Sequence, residues 1–118
     1  MKIVIFDIEP WECATFEPLK REHDVVYEEG ELDAETAERH GDAEIISPFI
    51  YSDFSREVLD CFGNLRFIAT RSTGVDHIDM DWCREHGVAV SNVPSYGANT
   101  VAEHVFALLL AISHNIVD

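Results

Sequence analysis

The sequence predicts an α/β fold built on a doubly wound parallel sheet of about five strands, ending in a long apolar helix. Three observations lead there. Short runs rich in β-branched residues recur along the chain, and the stretches between them have helical length with helix-start and helix-stop residues. The runs are near-continuously apolar rather than alternating, as parallel strands covered on both faces are. Strands alternating with helices in this way form βαβ units with right-handed crossovers.

The elements follow in order. Ile3-Val4-Ile5-Phe6, Val25-Val26-Tyr27, Ala43-Glu44-Ile45-Ile46, Phe67-Ile68-Ala69 and Val88-Ala89-Val90 read as the five strands. Helices are expected from about Trp11 to Glu22, with Pro18 an irregularity, then at Asp33 to His40, Phe54 to Phe62 and Asp79 to His86. Asp33 and Ser55 suit N-caps, and Gly41, Gly63 and Gly87 suit helix ends. This order gives a flavodoxin-like sheet in one domain, with no internal repeat, low-complexity tract or linker.

Composition narrows the function. With 118 residues and 47% hydrophobic content, the chain can bury a modest single core. Cys13, Cys61 and Cys83 are widely spaced and odd in number, which argues against a disulfide framework or zinc site and for reduced thiols in a cytoplasmic setting. The start, Met1 to Asp7, is too short for a signal peptide and reads as the first strand. A formal charge of −15, with Lys2 and Lys20 the only lysines, repels nucleic acid and anionic lipid; neither is an expected partner. Two readings of that charge stand open: adaptation to high salt, and an ordinary solvated acidic surface.

The final helix has its own signature. Thr100-Val101-Ala102-Glu103 has capping-box spacing, with the Thr hydroxyl and Glu carboxylate serving each other's amides. The following Val105 to Ile112 is apolar on every side yet too short to span a membrane. The expectation is a helix buried all round, one face on this domain and the other on a further domain or second subunit.

Two polar loops carry the chemistry. Arg71-Ser72-Thr73-Gly74-Val75-Asp76-His77-Ile78-Asp79 leaves the fourth strand, and Ser91-Asn92-Val93-Pro94-Ser95-Tyr96-Gly97 leaves the fifth. Open α/β sheets bind ligands at such carboxyl ends. Gly74, lacking a Cβ and free to take positive φ, lets successive amides converge on an anion. Asp76 suits an Asx-type turn bond, Asp79 a helix cap, and His77 an exposed, solvated imidazole. Arg71 offers either positive charge beside the loop or a structural salt bridge. Tyr96 sits on a segment stiffened by Pro94, where its phenol can donate to a carboxylate while its ring excludes water. Phe49, Tyr51 and Phe54, after the third strand, are candidates to line the pocket.

Over about Leu65 to Ile112, with its G-V-D-x-I-D run, the chain resembles the substrate half of the D-isomer-specific 2-hydroxyacid dehydrogenases, most closely the D-lactate dehydrogenase branch. The resemblance implies an NAD-dependent oxidoreductase moving hydride between nicotinamide and a small 2-keto or 2-hydroxy acid. It places the substrate carboxylate on backbone amides of Thr73 and Gly74 and on Tyr96, with Thr100 and Val101 against the nicotinamide ring. The family's catalytic arginine, glutamate and histidine belong to its cofactor domain and align with nothing here, and no G-x-G-x-x-G occurs. The expected organisation is therefore a substrate domain at 1–98 and an inter-domain helix at 99–118 leading to an absent cofactor domain. Such a fragment is expected to be inactive, and to form a homodimer, in isolation through its apolar helix. Two rivals share the fold class. A receiver-type module would use Asp7 for metal binding, but Ser47 stands where its phosphorylatable aspartate belongs. A non-enzymatic interaction module would use the last helix.

Overall fold

The computed structural model of the protein describes residues 1–116; the last two residues of the 99–118 segment, Val117 and Asp118, lie outside the described residues. Five parallel strands form one sheet: β1 (Lys2–Ile5), β2 (Asp24–Tyr27), β3 (Ile45–Ser47), β4 (Phe67–Ala69) and β5 (Ala89–Ser91), in the order β2-β1-β3-β4-β5. Chain order reverses between β1 and β3. That is the point at which open α/β sheets leave a crevice at the strands' carboxyl ends.

The strands are buried according to their place in the sheet. Central β1 is covered from Ile3 onward, whereas the edge strands β2 and β5 are only partly covered. Continuous apolarity thus predicts two-sided burial correctly only for the interior. The main core packs Val4, Phe6, Ile46 and Ile68 against Leu59, Phe54 and Trp82; a smaller cluster joins Ile3, Ile5 and Ile8 on the other face.

Helices are shorter than their patterns suggest. The 11–22 segment divides into α1 (Cys13–Phe16) and a 3-10 turn, Glu17–Arg21. Pro18 enters the first turn of the second piece, where a proline costs no hydrogen bond. In α2 (Ala34–Arg39) the Asp33 carboxylate accepts from the Thr36 amide at 2.8 Å while the Thr36 hydroxyl accepts from the Asp33 amide at 2.8 Å, a closed capping box. Those bonds hold the Asp33 carboxyl below its ordinary range. For α3 (Arg56–Leu59) the expected Ser55 side-chain cap is absent; instead the Asp53 carboxylate accepts from the Ser55 amide at 2.8 Å. At α4 (Met80–His86) the Asp79 carboxylate accepts from the Trp82 amide at 2.7 Å, and Gly87 ends the helix at φ 69°. Gly41 matters for a different reason: a Cβ there would lie 2.7 Å from the Cys61 carbonyl oxygen.

The last helix, α5 (Ala98–Ser113), corrects two expectations. Its first turn closes on Gly97, whose carbonyl accepts from the Val101 amide at 2.9 Å, so Thr100 lies inside the turn instead of preceding it. The Thr100–Glu103 capping box therefore does not form. Nor does the helix pack a face on the sheet. Every residue from Ala98 to Ser113 is exposed except the half-buried Ala111, and the molecule is correspondingly long, 57 × 32 × 23 Å. No helix among the described residues is long and apolar enough to cross a membrane.

Candidate functional site

Five strand exits converge on one rim, and backbone and side-chain bonds knit them. The two loops singled out from sequence are neighbours: the Val93 amide donates to the Ser72 carbonyl at 2.9 Å, and Asn92 Nδ2 donates to the Thr73 carbonyl at 2.7 Å. Within the first loop, the buried Ser72 hydroxyl shares a 2.6 Å bond with Thr70 and donates to the Gly74 carbonyl at 2.8 Å. The latch fixes the loop's carbonyls inward. Among the described residues, the amides of Thr73 and Gly74 donate to no protein acceptor, and both residues are exposed. An unpaired, exposed pair of N–H groups is what a carboxylate needs.

Gly74 does not use positive φ, and a Cβ there would meet nothing nearer than the Asp76 carboxylate at 3.8 Å. Its value is thus an uncovered amide rather than a left-handed turn. Asp76 departs from expectation too: its carboxylate accepts no hydrogen bond among the described residues. His77 is half-buried rather than solvated, because the loop folds it edge-on against the Phe54 ring at 5.8 Å. Its Nε2 is buried without a partner, and burial lowers the imidazole pKa against the opposing pull of Asp76 and Asp7.

Among the described residues Arg71 forms no salt bridge. Its Nη2 donates to the carbonyls of Phe6 and Asp7, both at 2.8 Å, while Nε and Nη1 are buried and unpartnered. The guanidinium lies 6.0 Å from the ring centroids of both Phe16 and Phe49. Asp7, at φ 51°, is the second half of this clasp. Its amide donates to the Gly30 carbonyl, and its carboxylate accepts from the Ser52 hydroxyl at 2.7 Å and the Phe49 amide at 3.2 Å. One strained residue thereby ties the exits of β1, β2, β3 and β4. Sequence reasoning missed this role; its only signal was an acid directly after an apolar strand.

Above the clasp lies a cavity of about 650 Å³. Arg71 and Tyr96 line it from the β4 and β5 side, Phe49 and Tyr51 from β3, with Trp11 opposite. Asp7, Glu9, Glu12 and Glu29 complete the lining. Tyr96 is 72% exposed, its phenol free to meet a ligand. Phe54 is wholly buried beneath the rim, so it supports the pocket instead of lining it. Thr73 and Gly74 border the same rim without lining the cavity wall, and Thr100 and Val101 lie exposed on the first turns of α5. Ser47, the residue that stands against a receiver reading, is buried and donates to the Ala69 carbonyl at 2.9 Å. No group of three or more potential metal ligands occurs among the described residues.

Comparison with known proteins agrees with this architecture. A 2-hydroxyacid dehydrogenase homolog of Zymomonas mobilis is 29% identical over 120 residues, covering 98% of this chain and 36% of the relative. A hydroxypyruvate reductase of Blautia hydrogenotrophica is 35% identical over 85 residues, 70% of this chain and 25% of the relative. The solved structure of D-lactate dehydrogenase from Aquifex aeolicus, complexed with NAD and lactic acid, superimposes with a TM-score of 0.84 at 28% identity, over 92% of this chain and 33% of that one. The chain thus spans about a third of the length of such relatives. Residues 3–115 match the family model for the catalytic domain of D-isomer specific 2-hydroxyacid dehydrogenases, and the chain belongs to that family.

Proposed function

We propose that this chain is the substrate-gripping portion of an NAD-dependent D-2-hydroxyacid dehydrogenase, acting on a small 2-keto or 2-hydroxy acid. The observation that carries the reading is the joining of two loops at one rim, with unpaired amides on one and an exposed phenol on the other. The amides of Thr73 and Gly74 hold the substrate carboxylate, Tyr96 donates a further hydrogen bond, and the Arg71 guanidinium adds positive potential behind them. Thr100 and Val101, at the start of α5, offer an exposed surface to the flat face of a nicotinamide. The group would supply hydride when bound. No catalytic residue is assigned within the chain, and the isolated chain is expected to be inactive.

In this reading residues 1–98 form the substrate domain and 99–118 the helix leading toward a cofactor domain. The protein is placed in the cytoplasm, acts as a homodimer, and as an isolated chain pairs through α5. The test is direct. The purified 118-residue chain should bind 2-keto acids without reducing them in the presence of NADH, and should not oxidise 2-hydroxy acids in the presence of NAD. Turnover would relocate the catalytic groups into this chain, and absence of any keto-acid binding would remove the substrate role.

A further inference from the structure

The cavity is charged oppositely at its two ends, and the sheet order sets those ends apart. Asp7, Glu9 and Glu12 follow β1, and Glu29 follows β2; Arg71 follows β4. Between them, from β3, come Phe49 and Tyr51, whose rings meet edge-on at 5.9 Å. Read across β2-β1-β3-β4-β5, the wall runs acidic, aromatic, basic.

Neither side neutralises its charge within the chain's described residues. Among the described residues none of the four cavity carboxylates joins an ion pair, although carboxylates elsewhere do, as Glu28 does with Arg39 and Glu85 with Arg56. Asp7 is spent on the rim's own hydrogen bonds, and Glu12 accepts from the Glu9 amide at 2.9 Å, leaving Glu9, Glu12 and Glu29 without a counter-ion. On the other side, Arg71 has two buried nitrogens with no acceptor. Trp11, 77% exposed, stands with the acidic side.

From this we infer that the cavity reads the charge at the far end of its substrate: a 2-keto acid with a cationic tail is preferred over a neutral one of equal length, and one with a second carboxylate is turned away. The inference rests on the proposed function, which seats the carboxylate at the β4 and β5 side. The tail then crosses the Phe49–Tyr51 pair toward Trp11 and the unpaired carboxylates. A cation there gains from the aromatic faces, tryptophan best of all, and from the three neighbouring carboxylates of opposite sign. An anionic tail meets those same carboxylates in a wall with only one compensating guanidinium. Selection of this kind works as much by repelling the wrong acid as by attracting the right one.

The experiment titrates the 118-residue chain with three acids that differ in the charge of the tail, following Trp11 fluorescence: 2-keto-5-guanidinopentanoate, 2-ketohexanoate and 2-ketoadipate. Trp82 is buried and serves as the silent background. The guanidino acid should bind at least about tenfold more tightly than 2-ketoadipate at low salt, the neutral acid falling between, and molar salt should compress the range. The double variant Glu12→Gln, Glu29→Gln should bring the outer two acids to within about threefold of each other, the comparison being made between acids on the same variant. Equal affinity for all three acids, or a preference that survives the double variant, overturns the charge reading and leaves the proposed function standing. Failure of 2-ketohexanoate itself to bind defeats both.

Discussion

The rim at the carboxyl ends of the sheet and the helix α5 use their residues in opposite ways. At the rim, Asp7, Arg71, Ser72 and Asn92 spend polar side-chain groups on residues of their own and neighbouring loops, so loops from different strands hold a fixed relation. Along α5, Phe106, Leu108, Leu109 and Ile112 are each more than half exposed and contribute nothing to the core. The proposed grip on an anion needs rigid, pre-placed donors, and hydrogen bonds whose loss would leave buried groups unpaired give the rim that rigidity. An uncovered apolar helix instead gains by association, since contiguous exposed apolar surface is where soluble proteins meet partners.

Substitutions can break this contrast, and the largest effect is expected beneath the rim. Phe54→Ala removes a wholly buried ring under the β4 loop and should destabilise the chain by about 3–5 kcal/mol in urea unfolding, whereas Leu109→Ala should change stability by less than about 0.5 kcal/mol. Comparable losses at the two positions would mean that α5 is part of the folded core. Next in size is Tyr96→Phe in the whole enzyme, which should weaken keto-acid binding by about 1.5–3 kcal/mol through loss of a hydrogen bond to a charged group. An unchanged KM would take Tyr96 out of the site. A third change, Asp33→Ala, lies away from both regions and should cost about 1 kcal/mol, the usual worth of an N-cap, in the same unfolding assay.

His77 gives the comparison a pH axis. Its folded pKa is lowered from the ordinary 6.5 chiefly by burial, so the native state disfavours its protonation. Its contribution is complete above that ordinary value and is lost as pH falls through the folded pKa, because the unfolded chain then binds the proton more readily. His77→Asn should flatten the decline of stability just below pH 6.5, read by thermal melts across that range.

The contrast also separates what was legible in the sequence from what was not. Strand runs such as Ile3 to Phe6 and caps such as Asp33 and Asp79 are local signals, set by neighbours within a few residues, and they survive into the structure with shifts of a residue or two. The joining of the Thr73–Gly74 and Tyr96 loops follows from β4 and β5 being adjacent, which βαβ order implies. The Asp7–Arg71 clasp was hidden because its partners lie 64 residues apart and meet only after the sheet forms. Helix α5 misled for another reason: an all-round apolar sequence states that burial is favourable, not what provides it. The charge division of the cavity was likewise unreadable, since Glu9, Glu12 and Glu29 look like solvated acids until topology gathers them beside Trp11.

The most direct measurement of the shared grip is a set of amide chemical-shift changes as the isotopically labelled chain is titrated with 2-ketohexanoate. The amides of Thr73, Gly74 and Tyr96 are predicted to shift together along one saturation curve, while those at the opposite end of the sheet, such as Gly63 and Gly87, stay in place. Response of only one of the two loops, or of neither, would contradict a common site at that rim.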